Sequence, residues 1–205
     1  MTYINIIAAI SVMIFICGIY AIKKNITKQY VLTDGISTQE DNLFSKYSKL
    51  TLFLFFGIGI LIRIACAIFF EGHPDIDCFK YWGDLVYNDG FGAYYESEGL
   101  ADYLPGYIYI LRLVSALRYL LGIHYDTVAA TFLFKMPAMI CDIILAYIIY
   151  KIARNKFEKN NSIIIMAMFL FNPIVILNSS VWGQIDSMLT VFLVLMCYLV
   201  YTDNM

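Results

Sequence analysis

Three stretches of this chain combine residue types that could do chemistry. The first is His73-Pro74-Asp75-Ile76-Asp77-Cys78-Phe79-Lys80-Tyr81-Trp82, which places paired acids beside aromatics and a lysine. A carboxylate held in place can take the proton of a hydroxyl group, and acids interleaved with aromatic rings suit carbohydrate. Phe91, Tyr94, Tyr95 and Asp102-Tyr103-Leu104-Pro105-Gly106-Tyr107 continue the pattern. The same acids also fit a hydrated loop whose Tyr and Trp side chains merely anchor it at an interface. The second stretch is Asn172-Pro173 followed by Asn178-Ser179-Ser180-Val181-Trp182-Gly183-Gln184-Ile185-Asp186. Asn, Gln and Asp without a basic partner are costly beside lipid unless they face a cavity. The third is Lys135, Pro137 and Asp142. Lys135 and Asp142 stand seven residues apart, two helical turns, and so share one helix face. They could pair with other helices, or Lys135 could present its charge to a lipid phosphate.

The elements that must hold these residues are membrane helices. Hydrophobic residues make up 61% of the 205 and charged residues 15%, whereas a soluble globule has roughly 45–50% and about 25%. Mean hydropathy is +0.72. Apolar runs long enough to cross a bilayer core fall at 3–22, 50–70 and 127–150, and shorter ones at 163–180 and 187–201. The first lacks a basic lead-in and a small-residue cleavage site, so it reads as a retained anchor. Residues 105–122 are apolar but interrupted by Arg112 and Arg118.

Charge sets the orientation. Five lysines lie between Lys23 and Lys49, which places that loop in the cytoplasm and the N-terminus outside. Residues 71–102 hold eight acids and one base, Lys80, so this side is external. If residues 105–122 crossed the bilayer, the basic run Lys151, Arg154, Lys156, Lys159 would fall outside. The expectation is therefore an all-α, polytopic transmembrane helix bundle of five spans, forming one membrane domain. An external loop covers 71–126 and carries a surface helix over 105–122, where Arg112 and Arg118 can reach headgroups or water.

Other chemistries find no support. A net charge of −2 and no basic stretch with interleaved aromatics exclude a nucleic-acid partner. Four of the five cysteines lie in apolar runs and no CxxC pair exists, so neither a disulfide framework nor a zinc site is indicated. His73 and His124 are isolated and read as interfacial side chains. No Walker, GxGxxG or HExxH motif occurs. Asp75, Asp77 and Asp186 are suitable oxygen ligands for Mg²⁺ or Mn²⁺, but the pattern assigns no metal or other cofactor.

Taken in order, Asp75 to Trp82, Asp102 to Tyr107, Lys135-Met136-Pro137 with Asp142, Asn172-Pro173 and Trp182 to Asp186 resemble the membrane glycosyltransferases of the C-type fold. They are most similar to bacterial proteins related to the GPI mannosyltransferases and to the dolichyl-phosphate-glucose glucosyltransferases. The likeness covers roughly residues 50–201, with Leu104 where the familiar motif has the first of two prolines.

The resemblance implies transfer of a sugar, a mannose-like hexose, from a polyprenyl-phosphate carrier to an acceptor hydroxyl on a glycan or protein, with inversion. The transfer would take place at the extracytoplasmic face of a prokaryotic plasma membrane. It implies Asp75 as general base with Asp77 at the neighbouring acidic position. Lys80, Arg112 and Lys135 become the cations for the departing phosphate, and Trp182, Gln184 and Asp186 the groups that orient donor or acceptor. The family's enzymes carry further spans, so the chain reads as the N-terminal part of such a fold. Two other readings remain: a truncated, non-catalytic membrane subunit or remnant, and a small transporter using Lys135 and Asp142.

Overall fold

The computed structural model describes residues 2–32, 40–96, 103 and 105–203. Glu98, Asp102 and Leu104 of the acidic–aromatic stretch lie outside the described residues. All regular structure in the described part is helical. The helices are α1 (Thr2–Leu32), α2 (Glu40–Phe69), α3 (Asp75–Asp89), α4 (Phe91–Glu96), α5 (Pro105–Leu120) and α6 (Val128–Arg154), then α7 (Lys159–Leu170) and α8 (Pro173–Ile176). A π-helical turn over Leu177–Trp182 and α9 (Asp186–Asp203) follow.

Among the described residues two helices are long and apolar enough to cross a bilayer, Lys49–Phe69 within α2 and all of α6. Lys159–Leu170 with Pro173–Trp182 passes the same test as a pair bent by 45°. Most of residues 105–122 are helical, as α5. Two compact units result, Met1–Arg63 with Asp142–Leu177 and Ile64–Cys141 with Asn178–Met205, and α2 and α6 contribute to both.

In the first unit α1 packs against α7 and α8, and Ala146, Ile163, Met166 and Leu170 form an apolar cluster with Leu52, Phe55 and Phe56. The break between α7 and α8 has a local cause. Pro173 lacks the N–H that would continue α7, and the Asn172 side chain accepts from the Ile174 amide at 2.9 Å, capping α8. The break leaves the Leu170 carbonyl, last of α7, without the donor that a continuing helix would supply. Arg63, buried in α2, donates from Nη1 to the Leu170 carbonyl and from Nε to Asp142 Oδ2, both at 2.9 Å. Asp142 thus pairs with another helix, through an arginine inside an apolar run.

In the second unit α3 packs on α5. The buried residues of α3 are Ile76, Phe79, Lys80, Trp82, Gly83 and Val86, all but Trp82 at the three-and-four spacing of an amphipathic helix. Gly83 permits the close approach: a Cβ there would stand 2.6 Å from Ser115 Oγ and 3.0 Å from the Leu111 carbonyl. Asp84 accepts from Arg118 Nη2 at 2.6 Å and from Ser115 Oγ at 2.8 Å, locking the pair of helices. Phe79, Trp82, Tyr94, Tyr103 and Tyr107 pack with ring centroids 5.2–6.0 Å apart. These aromatics, expected to suit sugar binding or interface anchoring, are core.

Candidate active site

Asp75 and Asp77, read from the sequence as loop residues, lie in the first turn of α3. Pro74 occupies the N-cap and makes no side-chain cap, while two acids in the first turn complement the positive end of the helix dipole. The segment before α3 is tied to the π-helical turn by the His73 amide, which donates to the Trp182 carbonyl at 3.1 Å. Gly183, at φ +80°, turns the chain directly after it. A Cβ at Gly183 would overlap Ile76 Cδ1 at 2.4 Å and press on Lys135 Cγ at 3.0 Å. Only glycine both accepts this φ and lets the two segments meet.

Beyond that turn the Gln184 amide donates to the Asn178 carbonyl at 2.9 Å. Its side chain then reaches Asp75: Nε2 donates to Oδ2 at 2.6 Å. The other carboxylate oxygen, Oδ1, lies 3.1 Å from His73 Nδ1. The His73 ring in turn rests against Trp182, with centroids 5.9 Å apart. Asp75 is therefore held by Gln184, with His73 beside it, while its side chain stays 41% exposed.

Beside it opens a cavity of about 440 Å³, within the size range of small-molecule sites. Glu71, His73, Asp77, Lys80, Asp126, Thr127 and Thr131 provide polar lining, and Ile68, Phe70 and Val128 provide an apolar edge. Those three apolar residues stand at the ends of the two candidate spans. Asp75 is flanked in the chain by Pro74 and Ile76, both of which line the cavity.

The expected cations behave differently from one another. Lys80 lines the cavity, but its buried ammonium donates to Asp77 Oδ1 at 3.0 Å and lies 5.4 Å from the Tyr125 ring centre. Tyr125 donates to the Asp77 carbonyl at 3.3 Å. Burial, followed by the nearby Asp77 and Asp84, pushes its phenol above the usual range, so it stays a neutral donor. Lys135 is fully buried; its Nζ donates to the Phe70 carbonyl at 2.6 Å and the Ala67 carbonyl at 3.4 Å, closing the C-terminus of α2. It acts on backbone rather than offering a free charge to phosphate.

Arg112 is exposed, with its guanidinium 5.3 Å from the Phe91 ring centre, and Asp186 is exposed in the first turn of α9. Neither lines the cavity. Among the described residues no three His, Cys, Asp or Glu side chains group as a metal site, so Asp75, Asp77 and Asp186 do not form the oxygen-ligand set considered from the sequence. The Asn178-Ser179-Ser180 sequon lies in the π-helical turn, with both serine hydroxyls buried and 3.1 Å apart. It is not the open loop that glycosylation needs.

The comparisons with known proteins bear on this geometry. Residues 105–203 match the family model described as dolichyl-phosphate-mannose-protein mannosyltransferase. No curated protein and no solved structure matches the chain. The matched segment is just under half of the chain and holds Pro105-Gly106-Tyr107, Lys135, Pro137, Asp142, Asn172-Pro173 and Trp182 to Asp186. Asp75, Asp77 and Lys80 precede it. The similarity is to a mannosyltransferase family of membrane enzymes. With the long apolar helices, it makes the chain an integral membrane protein.

Proposed function

We propose that the chain transfers a hexose, mannose by the name of the matching family, from a polyprenyl-phosphate carrier to an acceptor hydroxyl at the extracytoplasmic face of a prokaryotic plasma membrane. The observation that carries this reading is the 2.6 Å bond between Asp75 and Gln184. It joins the acidic segment that lies before the family match to the Trp-Gly-Gln-Ile-Asp segment that lies inside it.

A sugar phosphodiester already has a good leaving group, so the step needs no strong acid. The acceptor oxygen attacks the anomeric carbon, the bond to the phosphate oxygen breaks with its electron pair, and polyprenyl phosphate departs. Attack opposite the leaving group inverts the anomeric centre. Asp75 supplies the negative charge that draws the proton from the acceptor hydroxyl. Gln184 keeps it oriented, so little of that alignment is left to chance during the reaction. The apolar edge of Ile68, Phe70 and Val128 suits entry of lipid-borne substrate from the bilayer side.

The test uses the purified full chain in lipid nanodiscs, supplied with polyprenyl-phosphate mannose labelled in the sugar and with glycan or peptide acceptors. Label should move to a water-soluble acceptor with inverted configuration. Label that stays on the lipid with every acceptor would overturn the reading.

A further inference from the structure

Lys135 lies between the two turns that bring Asp75 and Gln184 together. It is fully buried in α6, and its Nζ donates to the Phe70 carbonyl at 2.6 Å and to the Ala67 carbonyl at 3.4 Å. A Cβ at Gly183 would stand 3.0 Å from its Cγ, and one at Gly72 would stand 3.2 Å from its Cε and 3.5 Å from Nζ. The stem therefore runs from one glycine turn to the other. Gly183 directly precedes Gln184, and Gly72 lies three positions before Asp75. Both glycines have positive φ, +80° and +111°, so each turn follows a path that a residue with a side chain rarely takes.

The chemistry of the side chain explains why a lysine occupies this place. A buried ammonium is costly unless it is hydrogen-bonded, and the end of α2 offers both carbonyl acceptors and the negative end of the helix dipole. The methylenes fill the space between the two glycines, which a shorter side chain would leave void. Lys135 does not line the cavity, so any part it has in transfer runs through other groups.

From this geometry we infer that Lys135 is a positioning residue for the transfer step. Its ammonium fixes the end of α2, its stem spaces the Gly72 and Gly183 turns, and together these align Asp75 with Gln184. The role rests on the transferase reading above, in which Asp75 remains the base. A shift of either turn moves the carboxylate or its amide partner away from the 2.6 Å contact, and rates are steeply sensitive to such misplacement. The bond from the His73 amide to the Trp182 carbonyl also joins the two turns. Loss of the ammonium should therefore loosen the alignment without abolishing it.

Two measurements on the full chain in nanodiscs test this. The first is a mutant cycle on the transfer rate per folded molecule. Lys135→Met and Gln184→Ala should each lower kcat about tenfold, Lys135→Met with the donor KM unchanged. Acting through one alignment, the double variant should also lose about tenfold, not the roughly hundredfold of independent sites. A hundredfold loss, or Lys135→Met at the parent kcat, overturns the inference; a merely structural lysine would lower only the folded fraction. The second measurement needs no activity. In protein labelled with heavy nitrogen at glutamine, the Gln184 side-chain amide is identified by its loss in Gln184→Ala. One of its protons should be shifted downfield by Asp75, and Lys135→Met should move that signal toward the free-amide position that Asp75→Ala gives. A signal unmoved by Lys135→Met overturns the inference and leaves the transferase reading intact. If the parent transfers nothing, the function proposed above fails, and the amide signal alone decides whether Lys135 sets the bond between Asp75 and Gln184. Should Lys135→Met not fold, Lys135→Gln, whose amide donor stops one bond short of the ammonium, replaces it in both measurements.

Discussion

Gln184 Nε2 donates to Asp75 Oδ2 at 2.6 Å, although 109 positions separate the two residues. The bond exists because the His73 amide meets the Trp182 carbonyl and Gly183 turns the chain immediately afterwards. It gives the first prediction. Gln184→Ala removes one orienting donor and should lower kcat about tenfold, the loss expected when alignment of a catalytic group is relaxed. Gln184→Glu sets a second carboxylate against Asp75 and should cost more. Steady-state transfer rates check the order; equal activity of all three forms would show that the bond has no part in transfer.

Lys135 gives the second prediction. Its ammonium closes α2 and its stem lies against Gly183. Lys135→Met strips donors from two carbonyls and should reduce stability by about 1–3 kcal/mol. The fraction that stays folded should keep the parent KM for the donor. Thermal unfolding and donor titration separate these effects, and a KM raised with no loss of stability would restore Lys135 as a phosphate ligand.

The sequence carried the helical membrane class and the two segments that meet at Asp75, because apolar run length and motif order are both local signals. It did not carry the helix α3. The acids and glycines of residues 71–92 look like a loop, and the apolar spacing of Ile76, Phe79, Gly83 and Val86 is easily overlooked among them. Arg63 was missed although an arginine inside an apolar run is itself a signal. The role of Lys135 could not have been found locally. It depends on where the end of α2 leaves its carbonyls, which is a fact of packing.

The third prediction concerns Arg63 and Asp142, both buried and 2.9 Å apart. Arg63→Met takes the guanidinium from the buried Asp142 carboxylate and should destabilise by about 3–5 kcal/mol, whereas Arg63→Met with Asp142→Leu should recover most of that loss. Unfolding in mixed micelles reads both. A double variant no more stable than the single one would mean that Arg63 matters mainly through the Leu170 carbonyl.

Orientation is the fourth. Cys78 is exposed on α3 and serves as a native reporter. An impermeant thiol reagent added outside intact cells should label Cys78 and a cysteine at position 88, but not one at position 46. The reverse pattern would put the candidate site in the cytoplasm.

The most direct test of the central claim is the transfer rate of Asp75→Asn. Asparagine retains an oxygen to accept from Gln184, so the local fold is kept while the negative charge is lost. The account predicts a fall in kcat/KM of about 10²- to 10⁴-fold with unfolding behaviour unchanged. An Asp75→Asn protein that moves sugar at the parent rate would contradict it.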